Sequence, residues 1–203
     1  AADNNDVIPV SSHHPIQPGE QLKYKVQYNL YFNVSVGKVT FNVQDNPISN
    51  SSSGCHRILA KGRTLGFYDN FYKIRDHYET CLNMRTMRPS YFMKDIYEGG
   101  YEDEEQVEFN HSQRYARTTK GDMYRIKEQT QDLLSVLYYA RTLDYESAEP
   151  GDSATFTTFI SDSTYEVGVK YMGKTKIDTK LGTFKCLKLK PLLVVGRLFD
   201  SKY

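Results

Sequence analysis

Tryptophan is absent from this chain, cysteine occurs only three times, and no stretch of it stays apolar for long. Each shortage excludes something. No apolar run approaches the roughly 18 residues that a membrane helix needs, so no segment reads as a transmembrane span. A formal net charge of +1 over 203 residues leaves no overall electrostatic footprint for nucleic acid or for an anionic membrane. Cys55, Cys81 and Cys186 include no Cys-x-x-Cys pair, which removes the usual zinc spacings. No Gly-x-Ser-x-Gly elbow, His-Glu-x-x-His helix or phosphate loop occurs, so no motif points to an enzyme, a cofactor or a metal. There is neither an initiating Met nor a basic-then-apolar leader. Ala1 is either the residue left by signal cleavage or an arbitrary boundary.

What is abundant is Tyr, with 17 residues, and Phe, with 10. Both fit the pleated, half-buried surface of a sheet. In "EQLKYKVQYNLYF" Leu22, Tyr24, Val26, Tyr28, Leu30 and Phe32 alternate with Gln21, Lys23, Lys25, Gln27 and Asn29, the period of a strand with one buried face. "GKVTFNVQ" repeats the pattern with Val39, Phe41 and Val43, and a turn near Asn33–Gly37 makes the two a hairpin. Further strands read near 55–64, 71–82, 89–98, 101–109, 114–119 and 122–127, then near 153–161, 164–172, 174–179 and 183–190. The short joins between them carry turn residues, which points to sequential hairpins. Residues 1–18, with Pro9, Pro15 and Pro18, form an extended polar arm; residues 19–203 form a single β-rich domain.

One segment breaks the period. In "TQDLLSVLYYARTL" Leu133, Val136, Leu137 and Ala140 recur at helical spacing, Thr130 or Asp132 can cap the start, and Arg141 suits the C-terminal end. Its apolar stripe is wide, so a helix over about residues 131–142 is buried on more than one side. The fold class is therefore mainly β: a curved antiparallel meander forming an open or closed barrel around one buried helix. The closing "PLLVVGRLFDSKY" starts a strand that has no partner, as if the natural C-terminal strands lay beyond it.

Charges thread the strand faces. In "FYKIRDHYETCL" Asp76 shares a face with Tyr72, Ile74, Tyr78 and Leu82, whereas Arg75, His77, Glu79 and Cys81 share the other. An inward carboxylate needs a partner, and Arg63 or Lys94 on neighbouring strands could supply it. Arg63, Asp76 and Asp95 are the residues to examine for ligand binding; the simpler reading is a satisfied ion pair or a rim. Glu98, Glu102, Asp103, Glu104, Glu105 and Glu108 lack the spacing of a calcium loop and read as a solvated edge strand. His13 and His14 sit in the arm as surface residues. His56 and Cys55 point to opposite faces, and His77 lies about 13 Å along the strand from Cys81, so neither forms a nucleophile–base pair. A hydrolase would need Asp76, His77 or Asp95 to converge in a pocket.

A hairpin of 55–64 and 71–82 centred on residue 68 sets Cys55 opposite Cys81, Arg57 opposite Glu79 and, less favourably, Lys61 opposite Arg75. A Cys55–Cys81 disulfide would imply an oxidising compartment. The alternative is three reduced, buried thiols.

The stretches "GRTLGFYDNFYKIRDHYETCLNMRTMRPSYFMKDIYEGGY", "TQDLLSVLYYARTLD" and "TKLGTFKCLKLKPL" with "VGRLFD" resemble the exported bacterial domain-of-unknown-function family DUF 3108, from about Glu20 onward. The resemblance implies a β-rich, barrel-like fold akin to YmcC-like and LolA-like proteins. It also implies a location past the inner membrane of a Gram-negative bacterium, in the periplasm or outer envelope, and further strands beyond Tyr203. It brings no site residues with it. Together with the inward Tyr, Leu, Val and Phe faces, it sets the functional expectation of a non-enzymatic binder of a lipid, glycolipid or other amphiphilic envelope molecule. The alternatives are a glycan-associated envelope protein that stacks sugars on exposed tyrosines, or a purely structural domain whose core is filled by side chains.

Overall fold

A computed structural model of the chain describes residues 8–11, 15–29, 33–45, 54–179 and 181–193. Eight strands follow one another as an antiparallel meander in chain order: β1 (Gln21–Asn29), β2 (Asn33–Gln44), β3 (Cys55–Thr64), β4 (Arg75–Asn83), β5 (Arg88–Glu98), β6 (Tyr101–Asn110), β7 (Tyr115–Thr118) and β8 (Met123–Arg125). A second antiparallel sheet holds β9 (Ser153–Ile160), β10 (Ser163–Thr179) and β11 (Gly182–Leu193), with β10 in the middle. Between the two in the chain lies a single α-helix, α1 (Ser135–Ala140). Among the described residues the large sheet is open: β1 and β8 do not pair with each other.

The period-two pattern decides which face goes in. Val43, Ile58, Ala60, Leu82, Phe92, Val107 and Phe109 project from one face of the large sheet and pack with Leu134 and Tyr138 from the helical segment and Phe159 from β9. A second cluster joins Leu143, Tyr145, Phe156, Val169 and Tyr171, with Val136 and Ala140 packed against it. The helical segment thus seals both sheets, which is why its apolar stripe is wide.

The first strand departs from expectation. Its inward residues Tyr24 and Val26 are 53% and 44% exposed, because nothing among the described residues covers that end of the open sheet. Asn33–Gly37, read from the sequence as a turn, belongs to β2; the connection falls on residues 30–32, outside the described residues. β-branched Val34 and Val36 favour the strand, and Gly37 lies beside a bulge at Val26/Gln27, where the Arg63 carbonyl oxygen would stand 3.0 Å from any Cβ.

Residues 71–74 are not strand. Gly66–Asn70 curls into a 3-10 turn instead, and β4 begins only at Arg75. That turn moves the centre of the β3–β4 hairpin by one residue, so Cys55 faces Asn83, Arg57 faces Cys81 and Arg63 faces Arg75. A two-residue slip leaves every side chain on its face. Cys55 and Cys81 remain diagonal neighbours with Cα atoms 5.4 Å apart, and a disulfide joins them. Cys186 is free.

The two stretches 164–172 and 174–179 are one strand, β10, with a bulge at Met172–Gly173. The acidic run is half an edge: β6 is paired on both sides at 107–108, but residues 101–105 extend beyond β7. The arm is extended and docked where it is described, with Ile8 and Ile16 buried and the Ser11 peptide N–H donating to the Thr142 carbonyl at 2.7 Å. His13 and His14 lie outside the described residues.

Candidate functional site

The helix is shorter than residues 131–142 because its approach is claimed by the sheets. Gln131 makes a parallel bridge to Thr158, its N–H donating to the Thr157 carbonyl at 2.8 Å while Phe159 donates back to the Gln131 carbonyl at 2.8 Å. Asp132 then turns the chain. Its Oδ1 accepts the peptide N–H groups of Leu134 and Ser135, each at 2.7 Å, and the Ser135 hydroxyl accepts the Asp132 N–H at 2.8 Å. This is reciprocal capping at the head of the helical segment. At the other end, the N–H groups of Arg141 and Thr142 reach back only three residues, to Tyr138 and Tyr139, which closes the helix in a tighter turn.

Held in this way, the segment divides the interior into two apolar clefts that share Leu133 and Leu137. The larger, of about 410 Å3, lies between the helix and the second sheet, against Val136, Phe156, Val167, Val169 and Leu189. The smaller, of about 250 Å3, faces the large sheet and is lined by Val39, Phe41, Tyr78 and Asp76 among others. Leu137, on the helix between them, is 54% exposed. At the rim of the larger cleft, Arg141 is held by two hydrogen bonds to the Glu20 carboxylate, at 2.7 and 2.6 Å, and lies over the Tyr138 ring. Its charge is already matched, so the cleft offers a ligand apolar surface and almost nothing else.

Arg63, Asp76 and Asp95 do not converge. Asp76 points inward, as its face in the sequence predicted, but the residue opposite it is Gly62, and Arg63 lies on the outer face opposite Arg75. Lys94 does face inward, where Asp103 at 2.8 Å and Glu105 at 3.3 Å hold it. Asp95 is on the outer face, opposite His77 and Glu104. Asp76 is left with a buried Oδ1 that has no hydrogen-bond partner among the described residues. Burial, together with the neighbouring Glu98 carboxylate, pushes its pKa up to about 6.

Asp132 is the group whose tertiary role the sequence hid behind a capping role. It is fully buried, burial pushes its pKa up to about 6 against the pull of its hydrogen bonds, and its second oxygen accepts the hydroxyl of Thr80 on β4 at 2.7 Å. The only signal in the sequence was a polar "TQD" set directly before an apolar run.

No helix among the described residues is long and apolar enough to cross a membrane. The model of a family described as "Protein of unknown function (DUF3108)" matches residues 23–202. No curated protein and no solved structure matches the chain.

Proposed function

The chain belongs to the DUF3108 family, whose function is unknown, and we propose that it is a non-enzymatic protein that holds the apolar part of an amphiphilic molecule in the cleft between α1 and the second sheet. The carrying observation is the cleft itself: about 410 Å3 of space walled almost entirely by aliphatic and aromatic side chains. That volume falls in the range of about 300–1,000 Å3 typical of small-molecule sites. Burying one methylene is worth about 0.8 kcal/mol, so a segment of roughly ten methylenes gains about 8 kcal/mol gross. Association costs of about 4–15 kcal/mol set against that gain favour long chains over short ones. With Arg141 already paired to Glu20, the polar head of such a ligand stays at the mouth in water. An exported, envelope location agrees with the Cys55–Cys81 disulfide, since such bonds persist in oxidising compartments.

The test is titration of delipidated protein with a fluorescent long-chain fatty acid, beside native mass spectrometry of protein purified from its own host. Saturable uptake that is abolished by Val167→Trp, which fills the cleft, supports the reading. No uptake, or uptake that Val167→Trp leaves unchanged, removes it.

A further inference from the structure

The net charge near zero conceals a segregated surface. On the outer face of the large sheet, Lys25 lies opposite Lys38, Lys38 opposite Arg63, and Arg63 opposite Arg75, one basic side chain per strand across β1 to β4. One step along the same face, Lys23 and Lys61 flank Thr40. Four strands at about 4.8 Å spacing make this patch roughly 15 Å wide. Among the described residues, Arg75 is the only member of the row within salt-bridge distance of a carboxylate. The exposed acids of this face stand apart on β5 and β6, among them Asp95, Glu102 and Glu104, while Glu79 on β4 is buried and paired with Arg57. Like charges set directly opposite one another in a sheet cost stability. A row of four is therefore a local loss that packing does not explain.

The row ends at an aromatic knob. The 3-10 turn Gly66–Asn70 puts Phe67 and Phe71 into solvent, 68% and 71% exposed, with ring centroids 4.7 Å apart. Tyr72 and Tyr101 are also exposed. The knob is braced: Asp69 accepts from Arg75 at 2.8 Å and from the Thr64 hydroxyl at 2.5 Å, and the Leu65 N–H donates to the Val36 carbonyl on β2 at 3.0 Å. The last residue of the basic row is thus also the clamp that holds the aromatic rings out. Lys73, beside the knob, lies over the Tyr97 ring.

Unpaired lysine and arginine next to exposed, rigid aromatic rings is the chemistry that seats a protein on a bilayer. The cations meet anionic headgroups and the rings sit among them. We propose that the outer face of β1–β4, with the Phe67–Phe71 knob at its end, docks this protein on a membrane surface that carries anionic lipid. A polyanionic polymer would satisfy the lysines but would give the two phenylalanines nothing to enter. This proposal is independent of the cleft, which lies on the opposite face of the sheet.

The experiment is co-sedimentation of the full chain with vesicles of phosphatidylethanolamine containing phosphatidylglycerol, and with vesicles of phosphatidylcholine alone. Binding is expected on the anionic vesicles only, and it weakens as salt is raised. The triple variant K25Q/K38Q/R63Q should lower the partition coefficient by about 100-fold, at roughly tenfold or less per cation removed. F67S/F71S should lower it about tenfold while leaving the salt dependence in place. Val167→Trp should bind vesicles like the unsubstituted chain, which separates surface docking from uptake of a lipid into the cleft. Equal sedimentation on both vesicle types, or no change in K25Q/K38Q/R63Q, overturns the proposal. Retention on immobilised heparin without vesicle binding also overturns it and reassigns the patch to a polyanionic chain.

Discussion

The Thr80 hydroxyl and the Asp132 carboxylate, 52 residues apart in the chain, meet at 2.7 Å where neither touches solvent. This contact ties the head of the helical segment to β4, while the adjacent Gln131 ties it to β9. The walls of both clefts hang on this junction, so its chemistry governs the shape of the site.

Asp132 makes stability depend on pH in an unusual direction. Its carboxyl has a reference value of 3.8 and is raised to about 6 in the fold. Between those values the folded state holds more proton than the unfolded state, so this group's contribution falls as pH rises from about 4 to about 6. A two-unit difference corresponds to about 3 kcal/mol at most. Asp132→Asn keeps an oxygen for the Leu134 and Ser135 N–H groups and can donate to Thr80, so urea midpoints measured at several pH values should lose this component while the fold is retained. Asp132→Ala leaves those donors bare and should cost about 2–4 kcal/mol.

The disulfide closes a loop with a sequence separation of 26, and its cysteines are buried. Replacing both by Ser should destabilise the protein by about 3–4 kcal/mol through the freed unfolded chain. Thermal melts with and without reductant measure this, and the double variant should be indifferent to reductant.

Glu79 is only 4% exposed and accepts a hydrogen bond from Arg57 at 2.5 Å. Removing one partner strands the other charge, so Arg57→Met alone should cost about 2–4 kcal/mol. Arg57→Met with Glu79→Leu should recover most of that loss, and a double-mutant cycle in denaturant reads the difference.

Leu137 separates site from scaffold. Because it is more than half exposed, Leu137→Gln should change stability by no more than about 0.5 kcal/mol. It borders both clefts, so fatty-acid affinity should fall about tenfold as roughly two methylenes of apolar contact are lost.

Much of this architecture was legible in the residues. The alternation in "KIRDHYETCL" places Asp76 inward and Arg75 outward, and both are where the pattern puts them. The strand sequence and the meander follow from the same period of two, and the lone helical segment from its break into helical spacing. The register of β3 against β4 was not legible, because it depends on the 3-10 turn that Asp69 and Arg75 lock together across the connection. The ends of the helix escaped for a related reason: Gln131 is taken by β9 and Asp132 by β4, and neither partner is close in the chain. The pairing of Arg63 with Asp76 failed because the two residues face opposite sides of the sheet, as the alternation already requires in either register.

The order of apolar and polar residues settled which face of each strand turns inward, since side chains alternate about a backbone whose geometry is local. Tertiary structure alone decided that five unneutralised cations, Lys23, Lys25, Lys38, Lys61 and Arg63, gather on one outer surface. It alone decided that the buried Asp132 and the adjacent Gln131 tie the helical segment to the two sheets, and that two clefts open beside Leu137. Those outcomes rest on contacts between residues far apart in the chain, whose energies exist only once the strands have paired.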